Sequence, residues 1–136
     1  MSKLNYYDLL GKPFRLGARG PDYYDCWGLC LELGRRVGIS FPADFTPTET
    51  SDQDTAICNI RDRDFTRLEK PEPHAIVTFK MNPPLVDHCG FIIPDDRGKC
   101  THFIHIMRDH HVVVLRLDHR VMARKLEGIY KYHGRS

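Results

Sequence analysis

Two periodicities divide the chain. In its first third, apolar residues recur at helical spacing: Cys26, Cys30, Leu33 and Val37, with Leu29 beside them, mark one buried stripe. Asp25 stands where an N-cap belongs, and Gly38 where a C′ glycine would end the helix. A shorter helix is predicted over residues 4–10, stopped by Gly11 with Pro13 beyond it. Phe14 to Pro21 is a Gly-rich loop without periodicity, and residues 42–50, with Pro42, Pro47 and three threonines, read as a surface connection. Ser51-Asp52-Gln53-Asp54 resembles a capping box opening a short helix to about Ile60.

After Pro71 and Pro73 the pattern turns to strands. They are predicted over 75–79, 88–93, 101–106, 112–117 and 129–132, with the turn-rich segment Pro94 to Lys99 closing a hairpin between the second and third. Helices come first and consecutive strands second, without β-α alternation. That order predicts an α+β fold, N-terminal helices packed on an antiparallel sheet. The length of 136 residues, with no repeat or low-complexity linker, predicts a single domain over residues 1–136.

Composition narrows the chemistry more than the fold. Hydrophobic residues at 41% and charged residues at 28% are ordinary for a folded chain, which argues against wholesale disorder. Twenty Lys and Arg against eighteen Asp and Glu leave a net charge of +2, too small and too evenly spread for a nucleic-acid partner. No apolar run reaches transmembrane length, so no membrane partner is expected. The start, Met1 to Asp8, has no apolar core of a signal peptide. Five cysteines, an odd number in a chain without a signal, disfavour a disulfide framework. They stand at 26, 30, 58, 89 and 100, and no two make a C-x-x-C knuckle, so no metal site is expected. A reactive cysteine with a histidine elsewhere in the fold is the better-motivated idea.

Asp25-Cys26-Trp27-Gly28 is the place to look. If Asp25 caps the helix, Cys26 occupies the first turn, where free N–H groups and the helix dipole favour negative charge. A thiol there can have its pKa lowered from about 8.5 to roughly 3.5–7.5, especially beside an imidazolium. The other reading of Cys26 is a small buried residue, as free cysteines often are, and position alone does not separate the two. The hairpin supplies candidate bases. With Ile93 set opposite Cys100 across the 94–99 loop, His88 falls opposite His105 on the same face. Opposed Cβ atoms lie about 4.5–5.5 Å apart, which suits a base and the group that orients it. Cys30 and Cys89 are expected to pack, and Cys58 and Cys100 to have no chemical role; His102 falls on the opposite face from His105, His110 and His111 read as solvated in a turn, and His74, His119 and His133 as surface residues near segment ends.

The ordered set resembles a known family. Gly11-Lys12-Pro13-Phe14 is similar to the Gly-x-Pro-Tyr loop of the NlpC-type cell-wall peptidases, papain-like cysteine endopeptidases, with Phe14 where Tyr is usual. Asp25-Cys26-Trp27-Gly28-Leu29 resembles their nucleophile motif, with the Trp of the phage tail-assembly branch. Asp87-His88-Cys89-Gly90-Phe91-Ile92 resembles the motif of the catalytic base, and Phe103-Ile104-His105 the strand of the third polar residue. Leu126 to Tyr132 looks like the closing strand of tail-branch members. The resemblance implies a papain-like fold with the nucleophile at a helix N-terminus, and a Cys26-His88-His105 triad cleaving peptidoglycan stem peptides between D-γ-glutamyl and a diamino acid. It further implies an oxyanion hole of backbone N–H groups at the helix start, with Asp25, Trp27 and Phe14 flanking oxyanion and substrate, and no cofactor. It implies phage tail proteins as partners: a virion tail part made in the host cytoplasm and acting at the cell wall. The alternatives are a tail-tip structural protein that has lost catalysis, motivated by the altered Gly-rich loop, and an antibacterial amidase effector or toxin.

Overall fold

The computed structural model describes residues 4–43 and 50–134. Its elements are a 3-10 turn at Tyr7–Leu9, then α1 (Cys26–Arg36), α2 (Thr50–Asp64), β1 (Phe65–Leu68), β2 (Ile76–Phe79), β3 (His88–Ile93), β4 (His102–His105), β5 (Val113–Arg116), α3 (Met122–Lys125) and β6 (Leu126–Tyr132). The six strands form one sheet in the order β1-β6-β2-β3-β4-β5, with every neighbouring pair antiparallel. The α+β class read from the sequence is the class observed.

Alternation along the strands sorts the core into two layers. Ile76, Cys89, Phe91, Ile93, Ile104 and Ile106 face α1, whose Leu29, Cys30 and Leu33 are fully buried against them. Val77, Phe79, Ile92 and Phe103 face the other way and are covered by Met122 of α3. Gly34 admits the Phe41 ring, which would lie 2.5 Å from any Cβ there. Gly38, at φ +81°, ends α1 in the left-handed conformation that a C′ position favours, and the Ile39 N–H returns to the Gly34 carbonyl at 2.8 Å. Arg36 then ties α1 to the 3-10 turn by a two-pronged pair with Asp8, 2.6 and 2.9 Å.

Several expectations shift. The helix expected over 4–10 is a single 3-10 turn, and the one expected from Ser51 runs four residues past Ile60 to Asp64. The connection predicted at 42–50 falls mostly outside the described residues. Strand β1 and helix α3 went unpredicted. Only Phe65 of β1 is buried, and its four residues are held by pairing with β6, Phe65 opposite Tyr132. No local pattern announces such a strand. The hairpin register also moves: Ile93 pairs with His102, not Cys100. The Asp95 carboxylate accepts the Arg97 and Lys99 N–H groups, both at 2.8 Å, so the turn closes inside the loop before the ladder begins. A shift of two residues preserves the faces, because strand side chains repeat every second position.

Candidate active site

Asp25 builds the Cys26 end of the site. Its extended backbone leads into α1, and its Oδ1 accepts the Gly28 N–H at 2.7 Å, the N-cap bond expected of it. The same carboxylate accepts the Gly17 N–H at 2.9 Å and pairs with Arg19 at 2.8 Å, so it also clamps the Gly-rich loop to the helix start. Gly28 makes this approach achievable, since a Cβ there would collide with the Ala18 carbonyl. Asp25 is wholly buried, and its oxygens are turned to the scaffold rather than to the cleft.

Cys26 therefore begins α1 and lines a cavity of about 220 Å³ together with Phe14, Met81, Asn82, Asp87, His88, Ile106, Met107 and Arg108. The cavity sits at the ends of β3 and β4, where the two faces of the sheet meet. Helix-side Cys26 and Ile106 can thus share it with His88, whose ring belongs to the opposite face beside Phe79. The Phe14 loop is tied in by its own N–H on the His110 carbonyl (3.2 Å) and by Tyr24 on the Pro13 carbonyl (3.2 Å).

His88 and His105 meet, although not as direct partners. Continuing the ladder places Gly90 opposite His105, with His88 on the diagonal. The ring nitrogens bridge that diagonal, His88 Nε2 to His105 Nδ1 at 2.8 Å. Gly90 leaves the gap they use, because a Cβ on it would stand 3.3 Å from that of His105 and 3.0 Å from the Phe103 ring. Rings of Phe79 and Phe103 pack against the pair, with centroids 5.6 and 4.9 Å from His88 and His105. Burial lowers the His105 pKa to about 4, so this ring is neutral at pH 7. With Nε2 committed to His105, Nδ1 is the His88 nitrogen left for Cys26. Accepting a proton there requires the neutral ring to carry its hydrogen on Nε2 and to donate it to His105.

The Cys26 thiol departs from expectation. A hydrogen bond with the Cys89 thiol, followed by burial, pushes it well above the ordinary range, while its contact with His88 pulls the other way. Cys89 in turn lies 4.0 Å from the Cys30 sulfur, so three thiols form a chain between α1 and β3. The depressed pKa expected at a helix start is thus reversed. A first-turn position favours a thiolate only where water or donors reach it, and here a second thiol and the core are the neighbours.

Of the other residues singled out, Phe14 lines the cavity and Trp27 does not. Trp27 turns away, donates Nε1–H to the Pro42 carbonyl at 2.7 Å and packs on Phe41 and Phe65. Sequence reasoning missed the wall formed by residues 81–82. Asp87 holds it, accepting the N–H groups of Met81 (2.8 Å) and Asn82 (3.1 Å) and the Asn82 side-chain amide (2.8 Å). The signal was present as Asn82-Pro83-Pro84, a turn followed shortly by an acid. Arg108, on an exposed loop, carried no such signal. Among the described residues no cluster of His, Cys, Asp and Glu is suited to a metal ion, and no helix is long and apolar enough to cross a membrane.

A helix that opens on a cysteine and packs on an antiparallel sheet, whose strand β3 brings a histidine to the same cavity, is the papain-like arrangement. The chain belongs to the NlpC/P60 family, whose description matches residues 11–131. Among solved structures it is similar to NlpC1 from Trichomonas vaginalis (26% identity, TM-score 0.61, 90% of this chain and 40% of that one). It is also similar to an NlpC/P60 family protein from Bacillus cereus (18%, 0.64, 96% and 41%). A third is the NlpC/p60 domain of the peptidoglycan hydrolase SagA (15%, 0.57, 92% and 91%). The chain spans about two-fifths of the length of the first two. No curated protein matches it.

Proposed function

We propose that the protein is a cysteine endopeptidase that hydrolyses peptidoglycan stem peptides at the bond between D-γ-glutamyl and a diamino acid, and that it works as part of a phage or prophage tail. The observation that carries the reading is the shared cavity of Cys26 and His88, with His105 bonded to the far nitrogen of His88. Family membership and the likeness to the domain of a peptidoglycan hydrolase support the substrate class. The tail setting rests on the Trp after Cys26 and on the closing segment Leu126 to Tyr132.

In this reading the resting site holds a thiol facing His88. As Cys26 Sγ attacks the scissile carbonyl carbon, His88 takes the thiol proton, and His105 accepts from the Nε2–H and steadies the imidazolium. The oxyanion lies near the Cys26 N–H, a first-turn group with no acceptor inside the helix. Collapse expels the amine of the diamino acid, which receives the proton from His88. Water, deprotonated by His88, then hydrolyses the thioester and frees the γ-carboxylate.

The experiment is digestion of purified sacculi with mass spectrometry of the released muropeptides. Wild type should release fragments cut after D-γ-glutamyl, and Cys26→Ala should be slower by about 10⁴-fold or more. Equal release by the variant ends the reading. The raised thiol favours a second one, a tail-tip structural protein without catalysis. In that case wild type releases nothing, and Cys26 alkylates no faster than a free model thiol.

A further inference from the structure

The cleft carries one carboxylate and one guanidinium. Its ionisable lining residues are Cys26, Asp87, His88 and Arg108, and both oxygens of Asp87 are already used by residues 81–82. Arg108 is exposed and makes no ion pair among the described residues. Its guanidinium stands 6.0 Å from the centroid of the Phe14 ring. Arg19, Arg36, Arg61 and Arg116 are paired with Asp25, Asp8, Glu127 and Asp118, and Arg108 is the arginine that lines the cavity of Cys26 and His88. A guanidinium braced on an apolar ring keeps its N–H fork free, since the ring face takes none of the donors. With the cavity's own carboxylate, Asp87, already used by residues 81–82, that fork suits a carboxylate of the ligand.

We infer that Arg108 is a specificity-determining residue that grips the free α-carboxylate of the γ-glutamyl unit, so that the protein selects stem peptides with a free α-carboxyl over those amidated there. This rests on the peptidase reading above. In a γ-glutamyl peptide the α-carboxylate hangs on the third carbon from the scissile carbonyl, so both groups fit one small cleft. Amidation replaces an anion that accepts two N–H bonds by a neutral group whose NH2 opposes the fork.

The test compares two synthetic peptides, L-Ala-D-γ-Glu-diamino acid with its α-carboxyl free or as the carboxamide, by initial rates. Wild type should prefer the free acid by about 30-fold in kcat/KM, the scale of a charge-assisted pair. Arg108→Gln should lose most of that on the acid and far less on the amide, bringing the ratio near one, while Arg108→Lys retains part of it. A wild-type ratio near one, or a ratio that Arg108→Gln leaves unchanged, overturns the inference. If wild type cleaves neither peptide, the peptidase reading fails separately, and equilibrium binding to Cys26→Ala decides. Tighter binding of the acid, lost when Arg108→Gln is added, supports the assignment; equal binding of the two peptides overturns it.

Discussion

At the Cys26 end of the cleft, the restraints on the start of α1 come from a short stretch of chain. Asp25 reaches forward to Gly28 and back to Gly17 and Arg19. At the base end the partners stand far apart in sequence. His88 and His105 are seventeen residues apart and meet only because β3 and β4 pair, Gly90 leaves room, and Phe79 and Phe103 close around them. One end is a local device carried by a few side-chain bonds, and the other exists only when the sheet does. Failure should therefore differ: damage at the first end costs stability and position together, whereas damage at the second is felt in catalysis and in acid.

The largest effect is expected from Asp25→Ala. It removes the cap, the acceptor of the Gly17 N–H and the carboxylate that pairs with Arg19, and the loss should be about 3 kcal/mol in denaturant unfolding. Asp25→Asn keeps an acceptor for Gly28 and should recover a good part of it. Equal stability of all three proteins would dissolve the contrast. At the base end, His105→Ala should lower kcat by about 10²-fold through disorientation of His88, with little change in KM. His105→Asn, which can still accept from Nε2–H, should recover about tenfold. A drop unrelieved by Asn would mean that His105 only fills space.

Acid separates the ends again. His105 has a folded pKa near 4 against an unfolded value near 6.5, so the unfolded chain binds the proton more readily. Its contribution is complete above pH 6.5 and disappears as pH falls toward 4, up to about 3 kcal/mol. Stability measured from pH 7 to pH 4 should fall less in His105→Asn than in wild type, and parallel curves would refute this origin. The smallest effect belongs to Cys89→Ala. With the thiol bond to Cys26 gone, the alkylation midpoint of Cys26, followed by peptide-resolved mass spectrometry, should move to lower pH at a cost of about 1 kcal/mol in stability. An unmoved midpoint would leave burial alone as the cause of the raised thiol.

Legibility followed the same division. Helical spacing from Cys26 to Val37, Asp25 before it and Gly38 after it located α1 within a residue or two, because caps and periodicity are local chemistry. The strand runs were readable for the same reason, and the His88–His105 meeting survived a wrong register because a two-residue slip preserves the face. β1 was illegible, since four residues with one buried side chain become a strand only when β6 arrives to pair with them. Arg108 was equally silent, as nothing next to it in the chain says which cavity it will line.

The sequence by itself determined the class of fold, the helix that carries Cys26 and the common face of the two histidines. These depend on neighbours within a turn or on the two-residue period of a strand. Only the tertiary structure decided the state of the thiol. Helix position argued for a low pKa, but Cys89, sixty-three residues on, and the closed core around it raise the pKa instead. A titrating group answers to whatever packing brings within a few ångströms, and that is set by the fold as a whole.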